Sequence, residues 1–524
     1  MPKKLLLIFL SVIMLVLPVF MSCDSTSSTT QVTSTAAQAT TTIEPQYGGT
    51  LKIIVSTGSL PTVVGYPPEI ASSQQVLTRY WAERLNDWAK DGSLTPQLAE
   101  SWEEDRTNKT LTWHLRKGVN FHDGTPFNAE AARWNIQIAV DKKLIKETDL
   151  IESVEVVDDY TVRMKLKGWT CSQLSNYGSV FMYSPTAIEK NGVEWARTNA
   201  VATGPFKLTS FERDVMIKLE KNTDYWREGP YLDGIEIRLI PDPVVAAVTL
   251  ESGQADVWQD ISDAKAVKDL EDKGLKVNWG PGLLWNIMPF ATDSNLVFSN
   301  QKVREAVEYA LDRSAIANLM GYGTFEPLTQ AASTRMGGYN SDYDPRPYDP
   351  EKAKQLLAEA GYPDGFETEI LCEATQTDLA TILQDYLADV GIKAKIDVAD
   401  TARRTAAQRT DGWSGLMIFR MGYFPDDGQY FVHFGPSTGR SYPLGLIQTE
   451  EFLALWNKAA QTADLAERTK VIQELVKQIS TDAMFVPIYR SSTVSSVMQT
   501  YVHSDHLAID NTVWFPHTWW MEKH

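Results

Sequence analysis

The chain has 524 residues, of which 43% are hydrophobic and 22% charged, and its formal net charge is −18. This composition is that of a globular protein, and the length exceeds one typical hydrophobic core, so we expect two or more lobes. A strongly acidic chain without a basic stripe repels phosphate backbones, which argues against a nucleic-acid partner.

The N-terminal segment has the pattern of a targeting signal. Two lysines precede an apolar run from Leu5 to Met21, which is typical of a signal-peptide core, so residues 1–22 are predicted to be a signal peptide. The run ends at Met21-Ser22-Cys23, which resembles a lipobox, where the cysteine is acylated before cleavage. Cys23 is therefore the expected site of lipidation.

The stretch that follows Cys23 is dominated by Ser and Thr. It has too few apolar side chains to offset its ordering entropy, so residues 23–45 are predicted to be the acylated cysteine and a flexible linker. A coil of this length has an r.m.s. reach of roughly 25 Å. The alternative is a disordered terminus without an anchor.

Strand patterns dominate the first part of the folded body. Residues 50–56 are rich in β-branched side chains, residues 111–115 alternate apolar with polar, and residues 154–166 read as two strands around a turn. Helical spacing of apolar residues predicts a helix over residues 72–88. Asn128 is the expected N-cap of an Ala-rich helix.

The second half alternates helices with single strands, which predicts an α/β lobe. The predicted elements are a helix around Val303–Leu311, a helix opened by Asp349 and Pro350 and closed by Gly361, a helix over Leu379–Val390, a strand over Ile392–Val398, a helix from Asp464 to Ile479 opened by a capping box with Glu467, and a strand over Met484–Tyr489.

Motifs of catalysis and cofactor binding are missing from the sequence. There is no G-x-S-x-G, H-E-x-x-H or G-x-x-x-x-G-K-[ST] pattern, so we predict no enzyme activity and no cofactor. His503 and His506 have helical spacing and could form a weak metal site or a solvated surface pair. The pair Asp426-Asp427 before a glycine could serve acid–base chemistry but is more typical of a turn.

The three cysteines, Cys23, Cys171 and Cys372, show no CxxC or metal-ligand spacing. They do not form a disulfide framework. Cys171 and Cys372 could pair with each other, or each could be a buried thiol. No metal site is predicted from the cysteines.

Aromatic residues are unusually frequent, with 16 Trp and 20 Tyr. Trp285, Trp413 and Tyr423 fall in segments that contain Gly or Pro rather than in periodic helices or strands. Large rigid rings with a polar edge suit ligand pockets as well as cores. These three are therefore candidate pocket residues, with core packing as the alternative.

A series of strings, in order from residue 47 to residue 363, resembles family 5 of the extracellular solute-binding proteins, the peptide, nickel, opine and oligosaccharide group of ABC importers. The strings are Tyr47-Gly48-Gly49-Thr50-Leu51, Pro96 with Leu98-Ala99-Glu100-Ser101-Trp102, Leu115–Val119 with Phe121–Phe127, Thr203-Gly204-Pro205-Phe206, Asp224-Tyr225-Trp226 with Tyr231-Leu232-Asp233, Val303–Ala306 with Leu311-Asp312-Arg313, and Tyr348-Asp349-Pro350 with Gly361-Tyr362-Pro363.

The resemblance implies an α/β, two-lobed periplasmic-binding-protein fold of the class II type, in a large variant. The first lobe would hold residues 46–287 and 488–524, with an inserted subdomain at about 100–200. The second lobe would hold residues 288–487. The chain would cross twice between the lobes at a hinge.

The implied function is an extracytoplasmic, monomeric solute-binding component that passes its solute to the permease and ATPase subunits of an ABC importer. Its contact with the membrane would be through the lipid of Cys23 alone. A sensing receptor of the same fold and, more remotely, an extracellular hydrolase are the alternatives. In such a protein the solute contacts both lobes only when they close, so binding shifts the equilibrium towards the closed state.

The resemblance also suggests where the solute binds. In peptide-binding relatives, an aspartate of a second-lobe loop pairs with the ligand's ammonium group. The comparable loop here, residues 421–431, aligned without gaps on Phe431, has Phe424 at that position, with Asp426 and Asp427 two and three residues later. A shift of the loop would return one of these aspartates to the site.

The predicted ligand-binding residues are Trp285, Asn286, Trp413, Arg420, Tyr423, Phe424 and Asp427. Arg420, Tyr423 and Phe424 would face a wall around Trp285 and Asn286. Because a buried ammonium needs a carboxylate partner, ordinary peptides with a free amine are expected to bind poorly. The site suits a solute with a stacking face and hydroxyl or carboxylate groups, such as an oligosaccharide or an opine-like acid.

Overall fold

Two large mixed sheets organise the part of the chain that the computed structural model describes. This part comprises residues 44–56, 60–70, 75–89, 93–261, 263–279, 282–289, 297–422, 428, 430–431, 434, 446–491, 494–504 and 515–522. The predicted signal peptide, Cys23 and nearly all of the linker lie outside these residues.

In chain order the strands are β1 (Thr50–Val55), β2 (Asn86–Trp88), β3 (Leu94–Pro96), β4 (Ala99–Asp105), β5 (Thr110–Leu115), β6 (Ile151–Asp158), β7 (Thr161–Leu166), β8 (Phe206–Glu212), β9 (Met216–Lys221), β10 (Gly234–Leu239), β11 (Val257–Ile261), β12 (Lys276–Trp279), β13 (Leu283–Pro289), β14 (Glu326–Pro327), β15 (Phe366–Cys372), β16 (Ile392–Val398), β17 (Leu416–Met421), β18 (Val486–Ser491), β19 (Val494–Met498), β20 (Val502–His503) and β21 (Trp520–Met521).

The helices are α1 (Gln75–Thr78), α2 (Ala129–Asp141), α3 (Gln173–Gly178), α4 (Pro185–Asn191), α5 (Val193–Thr198), α6 (Pro243–Glu251), α7 (Ala264–Asp272), α8 (Gln301–Tyr309), α9 (Arg313–Gly321), α10 (Pro350–Glu359), α11 (Thr377–Asp389), α12 (Thr401–Ala406), α13 (Glu450–Gln461) and α14 (Leu465–Thr481).

The first sheet has the strand order β12-β19-β11-β1-β10-β9-β8, with β1 parallel to both β10 and β11. Both faces of β1 are covered. Leu51 and Ile53 pack into the main core of this lobe, whereas Ile54 points to the other face and packs with Leu250 of α6. A strand buried on both faces is apolar almost throughout, which explains the run over Thr50–Val55.

The second sheet has the order β14-β18-β13-β17-β15-β16. Successive side chains of β17 alternate between two cores: Met417 and Phe419 pack with α13 and α14, and Ile418 packs with α8 to α11. A third, four-stranded antiparallel sheet, β4-β5-β7-β6, packs with α2 and lies within the region expected as an insertion.

The chain passes from the first sheet to the second between Trp279 and Leu283, and returns between Ser491 and Val494. Two short connections therefore join the two sheets. The expected lobe boundaries, at residues 287 and 488, fall inside β13 and β18, and both of these strands pair within the second sheet.

Local capping signals predicted helix ends well. Asn128 accepts a hydrogen bond from the Ala131 N–H, and Asp349 accepts one from the Lys352 N–H with Pro350 at the first helical position. These side chains satisfy N–H groups that have no partner inside the helix. The predicted strand at residues 484–489 is β18, displaced by two residues.

The helix predicted over residues 72–88 is wrong for most of its length. Among the described residues, α1 ends at Thr78, and β2 begins at Asn86. The main-chain carbonyls of Tyr80 and Trp81 accept bonds from Phe206 and Gly204 instead of from a following helical turn. The segment is buried on all sides, so its apolar spacing reflects tertiary packing rather than an amphipathic helix.

Candidate functional site

The residues of the strings that carry the family resemblance hold segments of the first lobe together by hydrogen bonds and close backbone contacts. The Gly48 N–H donates to the Tyr231 carbonyl, and the Gly49 N–H donates to the Asp233 carboxylate at 3.0 Å. Gly204 approaches the backbone of Trp81 so closely that a Cβ atom would lie 2.5 Å from it. These contacts stabilise the fold of the first lobe and give no information about its ligand.

The arginines of the string in α8 and α9 have a similar role in the second lobe. Arg304 is 3% exposed and donates to the main-chain carbonyls of Phe298, Ser299, Asp482 and Ala483. Burial lowers the pKa of Arg304, although the neighbouring carboxylates oppose this. A guanidinium has N–H donors in several directions, so one side chain can donate hydrogen bonds to several main-chain carbonyls at once.

The site is at the edge of the second sheet beside the two connections. β17 ends at Met421, and Arg420 is paired in register with Trp285 of the antiparallel strand β13. Tyr489 of β18 is paired with Trp285 from the other side. In open α/β sheets, ligands bind outside the carboxyl ends of the strands, which is the position of Arg420.

Four side chains form a ladder on one face of this edge. Phe325 stacks on Tyr489 with ring centroids 5.1 Å apart, and Tyr489 stacks on Trp285 at 5.9 Å. The guanidinium carbon of Arg420 lies 5.9 Å from the Trp285 ring centroid. The Trp285 indole N–H donates to the Ser491 hydroxyl at 3.1 Å, so the ring is held at its polar edge as well as on one face.

Arg420 is the exposed cation of this ladder. Within the described part of the chain, no carboxylate lies at salt-bridge distance from it, whereas nearby Arg490 pairs with Glu326 at 2.9 Å. Burial acts to raise the pKa of Glu326, but the hydrogen bonds from Arg490 and Thr334 lower it overall. The Glu326 charge is thus matched by Arg490, whereas no described carboxylate matches the charge of Arg420.

Asn286 is not beside Trp285 in this ladder. Neighbouring residues of a strand point to opposite faces, and Asn286 is fully buried on the face of β13 that packs with α13 and α14. Its amide donates to the Leu284 carbonyl, and its Oδ1 atom has no partner among the described residues.

Trp413 also lies apart from Arg420. It precedes the amino end of β17, and the five steps from Leu416 to Met421 span about 17 Å. The Trp413 ring is partly buried against the second-sheet core with Arg403 over its face at 5.6 Å. Tyr423, Phe424, Asp426 and Asp427 lie outside the described residues.

The first lobe supplies residues that sequence reasoning missed. Where β1 ends beside β11, the Trp258 indole donates to the Ser56 hydroxyl at 2.7 Å, and the Tyr80 hydroxyl donates to the side-chain oxygen Oε1 of Gln259 at 3.3 Å. Gln259 is 3% exposed, and its Nε2 atom has no partner in the described part of the chain. The signal was a polar residue inside the apolar strand Val257–Ile261.

The cysteines and histidines singled out from the sequence lie elsewhere. Cys171 and Cys372 do not form a disulfide, so the pairing alternative is not observed. His503 contacts Glu522 at 2.7 Å and stacks on Trp520, and His506 is outside the described residues. No group of His, Cys, Asp or Glu side chains in the described ranges could hold a metal ion.

The described residues include no helix with the length and hydropathy needed to cross a bilayer.

Comparison with known proteins places this chain in a family. The model of bacterial extracellular solute-binding proteins, family 5, matches residues 93–442. The glutathione-binding protein GsiB of Shigella flexneri is 30% identical over 466 residues, which cover 85% of this chain and 90% of the relative.

Solved structures show the same two-lobed fold. The periplasmic binding protein DppA of Helicobacter pylori in complex with the peptide STSA has a TM-score of 0.74 at 24% identity, covering 91% of this chain and 99% of that one. AgaA of A. tumefaciens R10, in complex with agropinic acid, has a TM-score of 0.74 at 25% identity with the same coverage. The family match, the identity to GsiB and the shared fold together establish that this chain belongs to family 5 of the bacterial extracellular solute-binding proteins.

Proposed function

We propose that the protein captures a small, carboxylate-bearing solute between its two lobes and delivers it to an ABC importer. The observation that carries this proposal is Arg420, an exposed guanidinium at the carboxyl edge of the second sheet with no carboxylate partner among the described residues. Such a group binds carboxylates through two parallel N–H···O bonds.

Trp285 supplies the second part of the proposed binding surface, an aromatic ring. Tyr489 covers one side of its ring and Ser491 holds its indole N–H, so the ring enters binding already oriented. A preoriented ring binds a flat or apolar part of the solute without a further loss of side-chain entropy. The solute would place its carboxylate on Arg420 and its apolar part against Trp285.

Relatives support an acidic solute. GsiB is named for glutathione, and AgaA is described with agropinic acid, and both of these molecules carry carboxylate groups. DppA is described as ABC transporter-associated, which supports delivery to an importer. Because ligands vary within such folds, these names support the class of solute and not its identity.

We assign the opposite wall of the site to the first lobe. Gln259 and the Trp258–Ser56 pair lie where β1 ends beside β11, and β11 pairs with β19, the strand that follows one of the connections. We propose lobe limits near residues 282 and 492, because the chain passes from one sheet to the other at these two positions. Solute that contacts both walls would favour the closed arrangement by its differential affinity for it.

The leader, the linker and the family together support an extracytoplasmic location. We propose that residues 1–22 are removed, that Cys23 carries the lipid, and that the folded body remains monomeric and binds its solute without altering it. Tyr423, Phe424 and Asp427 are retained as proposed contacts because their loop directly follows Arg420 in sequence.

Titration calorimetry tests the solute class. The panel is glutathione, agropinic acid, the peptide Ser-Thr-Ser-Ala and a neutral cello-oligosaccharide. We expect an acid to bind and Arg420→Ala to weaken it by about 10- to 100-fold, the value of one charge-assisted hydrogen-bonded pair. Arg403→Ala is the matched control, since Arg403 also lies over a tryptophan but at the other end of β17. Tight binding of the oligosaccharide, or an Arg420→Ala variant with unchanged affinity, would contradict the proposal.

A further inference from the structure

Two hydrogen bonds join the lobes at a place other than the two connections. The Cys171 N–H donates to the Ala460 carbonyl at 2.9 Å, and the Gln461 side-chain amide donates to the Trp169 carbonyl at 3.1 Å. Trp169 and Cys171 follow β7 of the inserted subdomain, whereas Ala460 and Gln461 end α13 of the second lobe. The Cys171 side chain also packs against the second-lobe core. We call these four residues the closure contact.

On the second-lobe side, the contact completes a helix end. The last carbonyls of an α-helix have no partner within the helix. In α13, the carbonyls of Lys458 and Ala459 accept from the Thr462 N–H, and the carbonyl of Ala460 accepts from Cys171 in the other lobe. When the lobes part, water can replace this donor, because the bond lies at the end of the helix. The contact can therefore form and break without leaving a buried carbonyl unsatisfied.

On the first-lobe side, the segment is held rigidly before it meets α13. The Glu147 carboxylate accepts from the Thr170 hydroxyl at 2.8 Å and from the Ser172 hydroxyl at 3.2 Å. The Gln173 amide donates to the Gly168 carbonyl at 3.0 Å. These bonds lie within the first lobe, so a rotation of that lobe moves the segment as one piece.

We propose that the closure contact is a reversible clasp that sets the closed population of the protein in the absence of solute. This inference rests on the proposed capture of solute between moving lobes. Rotation about the connections near residues 280 and 492 separates α13 from residues 169–171, so the contact exists only when the lobes are together. Its strength then affects the affinity for every solute alike, because it favours the closed state without contacting the solute.

The first test removes one bond of the contact. Gln461→Ala is compared with Gln473→Ala, since Gln473 makes an equivalent bond to the Gly337 carbonyl within the second lobe. We expect Gln461→Ala to increase the solute-free radius of gyration measured by small-angle X-ray scattering. We also expect alkylation of the Cys171 thiol to be about two- to tenfold faster. Gln473→Ala leaves both quantities unchanged, and unchanged melting temperatures show that both variants fold.

The second test fixes the contact. In a Cys23→Ala background, Ala460→Cys adds a thiol next to Cys171, whose N–H lies within hydrogen-bond distance, 2.9 Å, of the Ala460 carbonyl oxygen. Oxidation is expected to lower the radius of gyration, and reduction to restore it, whereas Lys458→Cys on the exposed side of the same helix turn shows no change.

Three results would overturn the proposal: failure of the introduced thiol to bridge Cys171, a radius of gyration that does not change on oxidation, or a Gln461→Ala variant that matches the control. Because both measurements are made without solute, their outcome is independent of whether the proposed acidic solute is correct.

Discussion

Trp285 and Arg420 face each other across neighbouring antiparallel strands, with the guanidinium carbon of Arg420 5.9 Å from the centroid of the indole ring. The pair combines an oriented apolar surface with a cation that no described carboxylate neutralises. It lies beside both connections between the two sheets, so a solute bound there would be close to the proposed hinge.

The bond between Trp285 and Ser491 gives a prediction about ring orientation. Ser491→Ala removes the acceptor of the indole N–H, and we expect glutathione or agropinic acid to bind about three- to tenfold more weakly, the value of one neutral hydrogen bond. Ser491→Thr retains the hydroxyl and serves as the matched control. Calorimetry gives both affinities, and equal affinities for the two variants would show that the bond does not orient the ring for binding.

Arg304 gives a prediction about stability. Arg304→Met leaves several buried carbonyls without donors, so we expect a loss of about 3–5 kcal/mol in the free energy of unfolding and a melting temperature lower by several degrees. Arg238→Ala removes an exposed pair with Glu236 and is expected to change the free energy by less than about 1 kcal/mol. A similar loss in the two variants, by denaturant titration, would rule out the structural role of Arg304.

His122 gives a prediction about pH. Burial lowers the pKa of His122 from 6.5 to about 4, although the hydrogen bond to the Gly204 carbonyl acts in the opposite direction. In the neutral form, its Nε2–H donates to the Gly204 carbonyl and its Nδ1 accepts from the Ala202 N–H. The unfolded chain then binds the proton first, so this stabilisation is complete above pH 6.5 and is lost as the pH falls from 6.5 towards 4.

The matching variant is His122→Gln, whose amide offers one donor and one acceptor group but does not titrate. We expect the stability of the wild type relative to His122→Gln to decrease as the pH falls through this window, measured by denaturant titration at several pH values. A constant difference between the two proteins would contradict the neutral, buried assignment.

Cys23 gives a prediction about location. Cys23→Ala is expected to release the protein from the membrane fraction, because the proposed lipid is its anchor. Fractionation followed by a salt wash measures this, and a Cys23→Ser variant should behave in the same way. If either variant stays with the washed membranes, another anchor holds the protein.

Local chemistry explains which parts of the fold could be predicted. Asn128 and Asp349 cap helices through bonds that span three residues, so their patterns are visible in the sequence. The segment from Thr78 to Asn86 has helical spacing as well, but its Tyr80 and Trp81 carbonyls accept from residues more than 100 positions away. Such distant partners leave no local signal.

In the candidate site, too, some residues could be predicted from the sequence and others could not. Trp285 and Arg420 were both identified from the sequence, but Asn286 was assigned to the same wall although adjacent strand residues point to opposite faces. Trp413 was included because of its glycine neighbours, which do not reveal which end of β17 it adjoins. Gln259 was missed because its significance depends on Tyr80, a partner 179 residues away.

The most direct test of the central claim is mass spectrometry of the solute that co-purifies with the protein. The account predicts an intact small molecule with at least one carboxylate, at about one equivalent per chain, that is lost from Arg420→Ala and kept by Arg403→Ala. A neutral oligosaccharide in the wild-type protein, or a solute that the purified protein converts to another compound, would contradict it.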